Sequence, residues 1–139
     1  MANALYSLAK QKLLEGSIAM LTDNIKIVLV DTAAYAVDLA ADEFLSSIPA
    51  GDRIATSANL TTKTTTLGVF DADDVVFTAV TGDQSEAVAM YKDTGDAATS
   101  PLIAYIDSAT GLPNAEGRTG ILAVGEGEFM CFSETLEGS

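Results

Sequence analysis

The side chains in this sequence with the clearest capacity for chemistry are its carboxylates, and the densest group is Asp71, Asp73 and Asp74 in the segment FDADDVVF. Aspartates spaced in this way hold Ca2+ through hard oxygen ligands when a loop wraps them around the ion, as at the start of an EF-hand. That loop also needs a glycine at its sixth position and a closing glutamate at its twelfth. Counted from Asp71, those places hold Val76 and Gly82, so an EF-hand is excluded. The segment reads as an acidic turn leading into a strand, with a weaker Ca2+ site shared between subunits as the alternative. Twenty acidic residues offer many pairs for general acid–base work, but no pair is marked as buried or tuned by its neighbours.

Other reactive arrangements fail for lack of parts. The chain has no His, which rules out Ser-His-Asp and Cys-His machinery within one chain. The glycine runs TGDQS, DTGDA and VGEGE lack the Gly-Lys-Ser/Thr or GxGxxG setting of phosphate loops and read as turns. A single cysteine, Cys131, forms no internal disulfide and no multi-thiolate metal site. Flanked by Met130 and Phe132, it reads as a small core residue. Tyr35, Tyr91 and Tyr105 fall on or beside expected strands and read as core or subunit-interface groups. The expectation is a protein that is not an enzyme and uses no metal or cofactor.

Charge narrows the partners. Seven basic residues against twenty acidic ones give a net charge of −13. Such a chain repels phosphate backbones and acidic headgroups, which argues against nucleic acid and membrane surfaces. No apolar run approaches the roughly 18–20 residues that span a bilayer. Lys10 and Lys12 lie inside the first amphipathic run rather than ahead of an apolar one, so no targeting segment is read. At 139 residues and 48 % hydrophobic content, a single domain over 1–139 is expected. Much of that apolar content is Ala and aromatics are only 6 %, so the core is thin and further burial between subunits is expected, as a homo-oligomer.

The elements that must carry these groups are mostly strands. Residues 1–16 read as a helix, with Asn3 as cap, Leu5, Leu8, Ala9 and Leu13 on one face, and Gly16 as a left-handed stop. IKIVLVD, residues 25–31, reads as a central strand buried on both faces. A short second helix is expected where Ala41, Phe44, Leu45 and Ile48 share a face, capped by Asp38 or Asp42 and ended by Pro49. Beyond Pro49 the period becomes two, in Ile54–Leu60 and Val75–Ala79, with the Thr-rich KTTTLG as a half-exposed strand. Ala87–Lys92 and Leu102–Asp107 follow, separated by DTGDAATS. GILAV and EFMCFS, joined by Gly125-Glu126-Gly127, form a last hairpin. About eight mostly antiparallel strands behind two helices make a mainly β domain, a β-sandwich or jelly-roll. Leu5, Leu8 and Leu13 are expected to anchor the first helix on a sheet of this subunit or its neighbour. Phe129 and Phe132 are expected on opposite sides of the final strand, one in the core and one near an interface. Glu134–Ser139 is expected to be a surface tail.

The segments ALYSLAKQKLLEG, IKIVLVDTAAY, DEFLSSIPAGDRIATSANLT, GVFDADDVVFTAV and AVAMYKDTGDAATSPLIAYIDSATGLP occur here in that order. Together they resemble a family of small virion structural proteins of tailed bacteriophages, over residues 3–113 and most specifically over Tyr91–Pro113. The resemblance implies a virion structural protein made in the bacterial host cytoplasm. The leading role is a capsid decoration or cement protein on the capsid exterior, bridging major capsid subunits. Assembly as a trimer is favoured by analogy with other capsid-bridging proteins. A neck, tail or fibre-base protein is the alternative, and a receptor- or carbohydrate-binding β-sandwich module the alternative outside those roles. The chain departs from the family pattern at Ile18-Ala19-Met20, where a Trp-containing pair is common. It departs again in its acidic C-terminus without Trp, which changes the surface that the tail presents.

Overall fold

A computed structural model describes residues 4–33, 35–66, 72–77, 86–106 and 120–124. Seven strands occur among them: β1 (Ala4–Leu5), β2 (Ile25–Val30), β3 (Arg53–Thr56), β4 (Ala72–Phe77), β5 (Ala87–Lys92), β6 (Leu102–Ile106) and β7 (Gly120–Val124). One α-helix, α1, spans Ser7–Glu15. A five-stranded sheet has the order β1-β6-β5-β2-β3, and β4 pairs with β7 in a second, two-stranded sheet. Every pairing is antiparallel. The described residues thus form a small, β-rich antiparallel arrangement with one α-helix.

The β-branched run Ile25–Val30 lies inside the sheet between β5 and β3, and only Lys26 escapes full burial. Its partner β5 is buried from Ala87 to Tyr91. Alternation sends the two sides of these strands into two separate clusters. Ile25, Ile27, Leu29, Val88 and Met90 pack with Ile18, Met20, Leu60, Ala72 and Phe77. Val28, Val30, Ala87, Ala89 and Tyr91 pack on the opposite side with Tyr6, Ala9, Tyr35, Leu45 and Ile48. The expectation of a strand buried on both faces holds for β2.

Two bulges tune that alternation. Between β5 and β6, Met90 faces Ala104 while Tyr91 faces Leu102, so Ile103 is an extra residue. In consequence Ile103 and Ala104, neighbours in sequence, both enter the first cluster. Between β2 and β3 the register skips Ile54 in the same way, and Ile54 and Ala55 both pack against that cluster. Past Thr56 the edge is continued by Ser57, whose N–H donates to the Ile27 carbonyl and whose hydroxyl accepts the Ile27 N–H at 2.9 Å.

Three expected elements differ. The first helix starts at Ser7 rather than near Asn3, which lies outside the described residues. Ala4 and Leu5 are spent on the β6 edge opposite Tyr105 and Ala104, and the Tyr6 N–H donates to Ile103, so the chain there is extended. Its end is as expected, with Gly16 left-handed at φ 82°. The second helix is replaced by a turn at Asp38, whose carboxylate accepts the Ala40 and Ala41 N–H groups, and by a three-residue 3-10 turn at Leu45–Ser47. Phe44 is held extended by a bridge to Pro101, and the Leu45 and Leu102 N–H groups donate to Ser100 and Glu43, so helical bonding cannot continue through it. Of the expected KTTTLG strand, residues 63–66 form no strand, and the remaining two lie outside the described residues; just before it Thr62 has φ 55°, and the Thr61 and Thr62 hydroxyls both donate to Asp73. The expected hairpin partner EFMCFS and the tail lie outside the described residues, as do Cys131, Phe129 and Phe132.

Met90 is fully buried whereas Leu14 is 89 % exposed. Met90→Ala should therefore cost about 2–5 kcal/mol in urea denaturation, and Leu14→Ala should stay within about 0.5 kcal/mol of the parent.

Candidate functional site

Polar chemistry concentrates where α1, the 35–42 segment and β6 meet. The Tyr6 and Tyr35 hydroxyls lie 2.9 Å apart, and the Tyr35 hydroxyl donates to Asp42 Oδ2 at 2.7 Å. A carboxylate only accepts, so the Tyr35 hydroxyl directs its proton at Asp42 and its oxygen accepts the hydrogen bond donated by the Tyr6 hydroxyl. Asp42 Oδ2 also accepts the Asp38 N–H at 3.0 Å. The Tyr35 ring meets Tyr105 edge-on, with centroids 6.3 Å apart. Tyr6 is wholly buried and Tyr35 nearly so.

Burial pushes the Tyr6 phenol well above its ordinary range, and the Asp42 charge adds to that. Tyr35 is pushed further, first by burial and then by its hydrogen bonds with Tyr6 and Asp42. Tyr91 on the same side of the sheet is also raised, chiefly by burial. A phenol held neutral out of water is no nucleophile and no base at moderate pH. The chain Tyr6→Tyr35→Asp42 fastens the segment ahead of α1 to the 35–42 segment.

A second polar group ties the connection after α1 to the open ends of β2 and β5. Lys92 pairs with Asp23 at 3.2 Å and donates to the Ser17 carbonyl, and Lys26 pairs with Asp93 at 3.1 Å. The Lys63 ammonium donates to the Asp23 carbonyl. Burial works to raise the Asp23 carboxyl, but the Ala19 N–H and Lys92 outweigh it and the net shift is downward. Asp93 is lowered mainly by the Gly95 N–H. On the outer side of α1, Lys12 bridges to Glu43 at 2.6 Å and lies over the Phe44 ring.

A third group stands at the other ends of three adjacent strands, where Asp31, Asp52 and Glu86 flank β2, β3 and β5. Asp31 Oδ1 accepts the Ala33 N–H, and Glu86 Oε1 accepts both the N–H and the hydroxyl of Thr32. Asp52 Oδ2 and Arg53 Nε are buried without a hydrogen-bond partner. Among the described residues no group of three His, Cys, Asp or Glu is placed to hold a metal ion.

Asp73 of the acidic turn is engaged by Thr61 and Thr62, while Asp71 lies outside the described residues. Leu5 sits on β1 rather than on the helix, and Leu5 and Leu13 pack against the first cluster of this same subunit. Leu8 is half-buried. Among the described residues, the large apolar side chains left exposed are Leu14, at 89 %, and Leu21, at 51 %. Sequence reading missed the Tyr6–Tyr35–Asp42 chain because its members come from separate segments. The four-residue step from Asp38 to Asp42 was its one local signal. Compared with known protein families and curated proteins, the chain matches none. No helix among the described residues is long and apolar enough to cross a membrane.

Because the folded phenols hold their protons more tightly than unfolded ones, they stabilise the fold fully below about pH 10, and that contribution is lost as pH rises beyond it. In an alkaline titration the ultraviolet tyrosinate signal of Tyr6, Tyr35 and Tyr91 should therefore appear together with the loss of β-sheet circular dichroism. Ionisation of all three near pH 10 with the sheet intact would show that the hydroxyls are open to water.

Proposed function

We propose that this protein is a non-enzymatic structural component of a tailed-bacteriophage virion, a decoration protein on the capsid exterior that bridges major capsid subunits. The observation that carries the reading is how the fold uses its side chains. The best-organised polar groups, Tyr6–Tyr35–Asp42 and the lysine–aspartate set around Asp23, fasten the chain to itself. Leu14 and Leu21 stay on the outside of α1 and the turn that follows it. A block whose organised polar groups are spent on its own chain, with large apolar side chains left outside, suits docking more than turnover. The resemblance over residues 3–113 supplies the partner class. Its most specific part begins with Tyr91 and runs through β6, next to the centre of the five-stranded sheet.

In this reading the β4–β7 pair, whose Ala72 and Phe77 pack on one face of the larger sheet, is the second layer of a β-sandwich. The acidic surface, with a net charge of −13, keeps the free protein soluble and disfavours binding to packaged nucleic acid. Self-association as a trimer would supply burial that a core rich in alanine lacks. The contact with the capsid would cover at least about 1,000 Å2 in total.

Copy number in purified virions is the test. Hundreds of copies per particle are expected; six, twelve or a few dozen would move the protein to the neck, tail or fibre base. Absence from particles, together with specific retention on a glycan array, would replace the reading with a receptor-binding module.

A further inference from the structure

We propose that residues 4–15 form a clasp that opens and recloses over the β6 edge while β2, β5 and β6 stay folded. The inference concerns the fold itself and holds whatever the partner. The segment grips the sheet from its rim. Leu5 and Leu13 pack against one cluster while Tyr6 and Ala9 are buried in the other, so the clasp straddles the edge of the sheet. Its backbone ties are few: the two-residue pairing of β1 with β6, the Tyr6 N–H on Ile103 at 3.0 Å, and the Ser7 N–H on Leu39 at 2.8 Å.

The helix within the clasp has little stability of its own. It has nine residues, no side-chain N-cap bond and no acidic residue in its first turn. Nine residues are too few for a helix to persist in water without packing. Lys10, Gln11, Leu14 and Glu15 face solvent. The moving part has a defined limit, because Gly16 is left-handed and the chain beyond it is pinned. Ser17 and Asp23 are held by Lys92, and Ile18 and Met20 are buried.

Tyr6 makes closure specific. Its hydroxyl is the donor that completes the chain through Tyr35 to Asp42. When the clasp lifts, Tyr35 keeps its bond to Asp42, while the socket gives up the Tyr6 hydroxyl, the Ser7 N–H on Leu39 and the Lys12 pair with Glu43. A segment that leaves its receiving surface intact can open without the rest of the domain.

The test is amide hydrogen exchange followed by NMR on the full chain. In the parent protein the hydrogen-bonded amides of Tyr6, Ser7 and Lys10 should exchange at least about a hundredfold faster than those buried in β2 and β5. Tyr6→Phe keeps the ring and removes the hydroxyl, and should speed the clasp amides by about tenfold while leaving the β2 and β5 amides unchanged. Equal rates for clasp and sheet in the parent protein would overturn the proposal. So would a Tyr6→Phe variant that unfolds globally, speeds all amides alike, or leaves the clasp amides unchanged.

Discussion

The antiparallel ladder between Ile25–Val30 and Ala87–Lys92 is the constraint from which the rest of the structure follows. Six consecutive pairs run without a break from Ile25 opposite Lys92 to Val30 opposite Ala87. Because nearly every residue of both strands is buried, neither side of the ladder can face water. A slip of one residue would move Ile27 and Met90 from one cluster into the other, so the register is set by packing on two sides at once. Such a sheet must find two covers, and this chain takes them from segments distant in sequence. The turn after α1, Leu60 and two residues of β4 close one side. The start of the chain and the 35–48 stretch close the other.

Covers without long regular elements need other means of attachment. Here they are side chains bonded to backbone: Ser57 completing the ladder beside Ile27, Asp38 closing its own turn, Asp93 and Asp96 shaping the loop between β5 and β6. Asp, Ser and Thr dominate such motifs because a short side chain can reach a neighbouring N–H. The abundance of acids has a local purpose besides solubility. Many of the described aspartates are the acceptors that hold loops in place.

Ion pairs are arranged on the same principle. Lys26, Lys63 and Lys92 gather where Asp23 and Asp93 lie, at one end of β2 and β5, and each contacts a group on another segment. These pairs are partly shielded from water and joined to backbone carbonyls, so they position the turn before β2 more than they add stability in bulk. With so few basic residues in the chain, their concentration at one place means that the rest of the described surface is predominantly acidic.

Composition and periodicity were enough to determine a β-rich domain, the two-sided burial of Ile25–Val30, the turn character of DTGDAATS and the stop at Gly16. These follow from interactions between residues near one another in sequence, or from the simple demand that an apolar run avoid water. Tertiary structure decided what depended on distant partners. Ala4 and Leu5 became an edge strand because they pair with the backbone of β6. The stretch with helical spacing around Phe44 was drawn out and bridged to Pro101. Tyr6, Tyr35 and Asp42 met although 29 and 7 residues separate successive members. No spacing rule links residues whose contact exists only once both of their segments cover the same side of the sheet, and for that reason the fasteners of this fold were invisible until its layers were assembled.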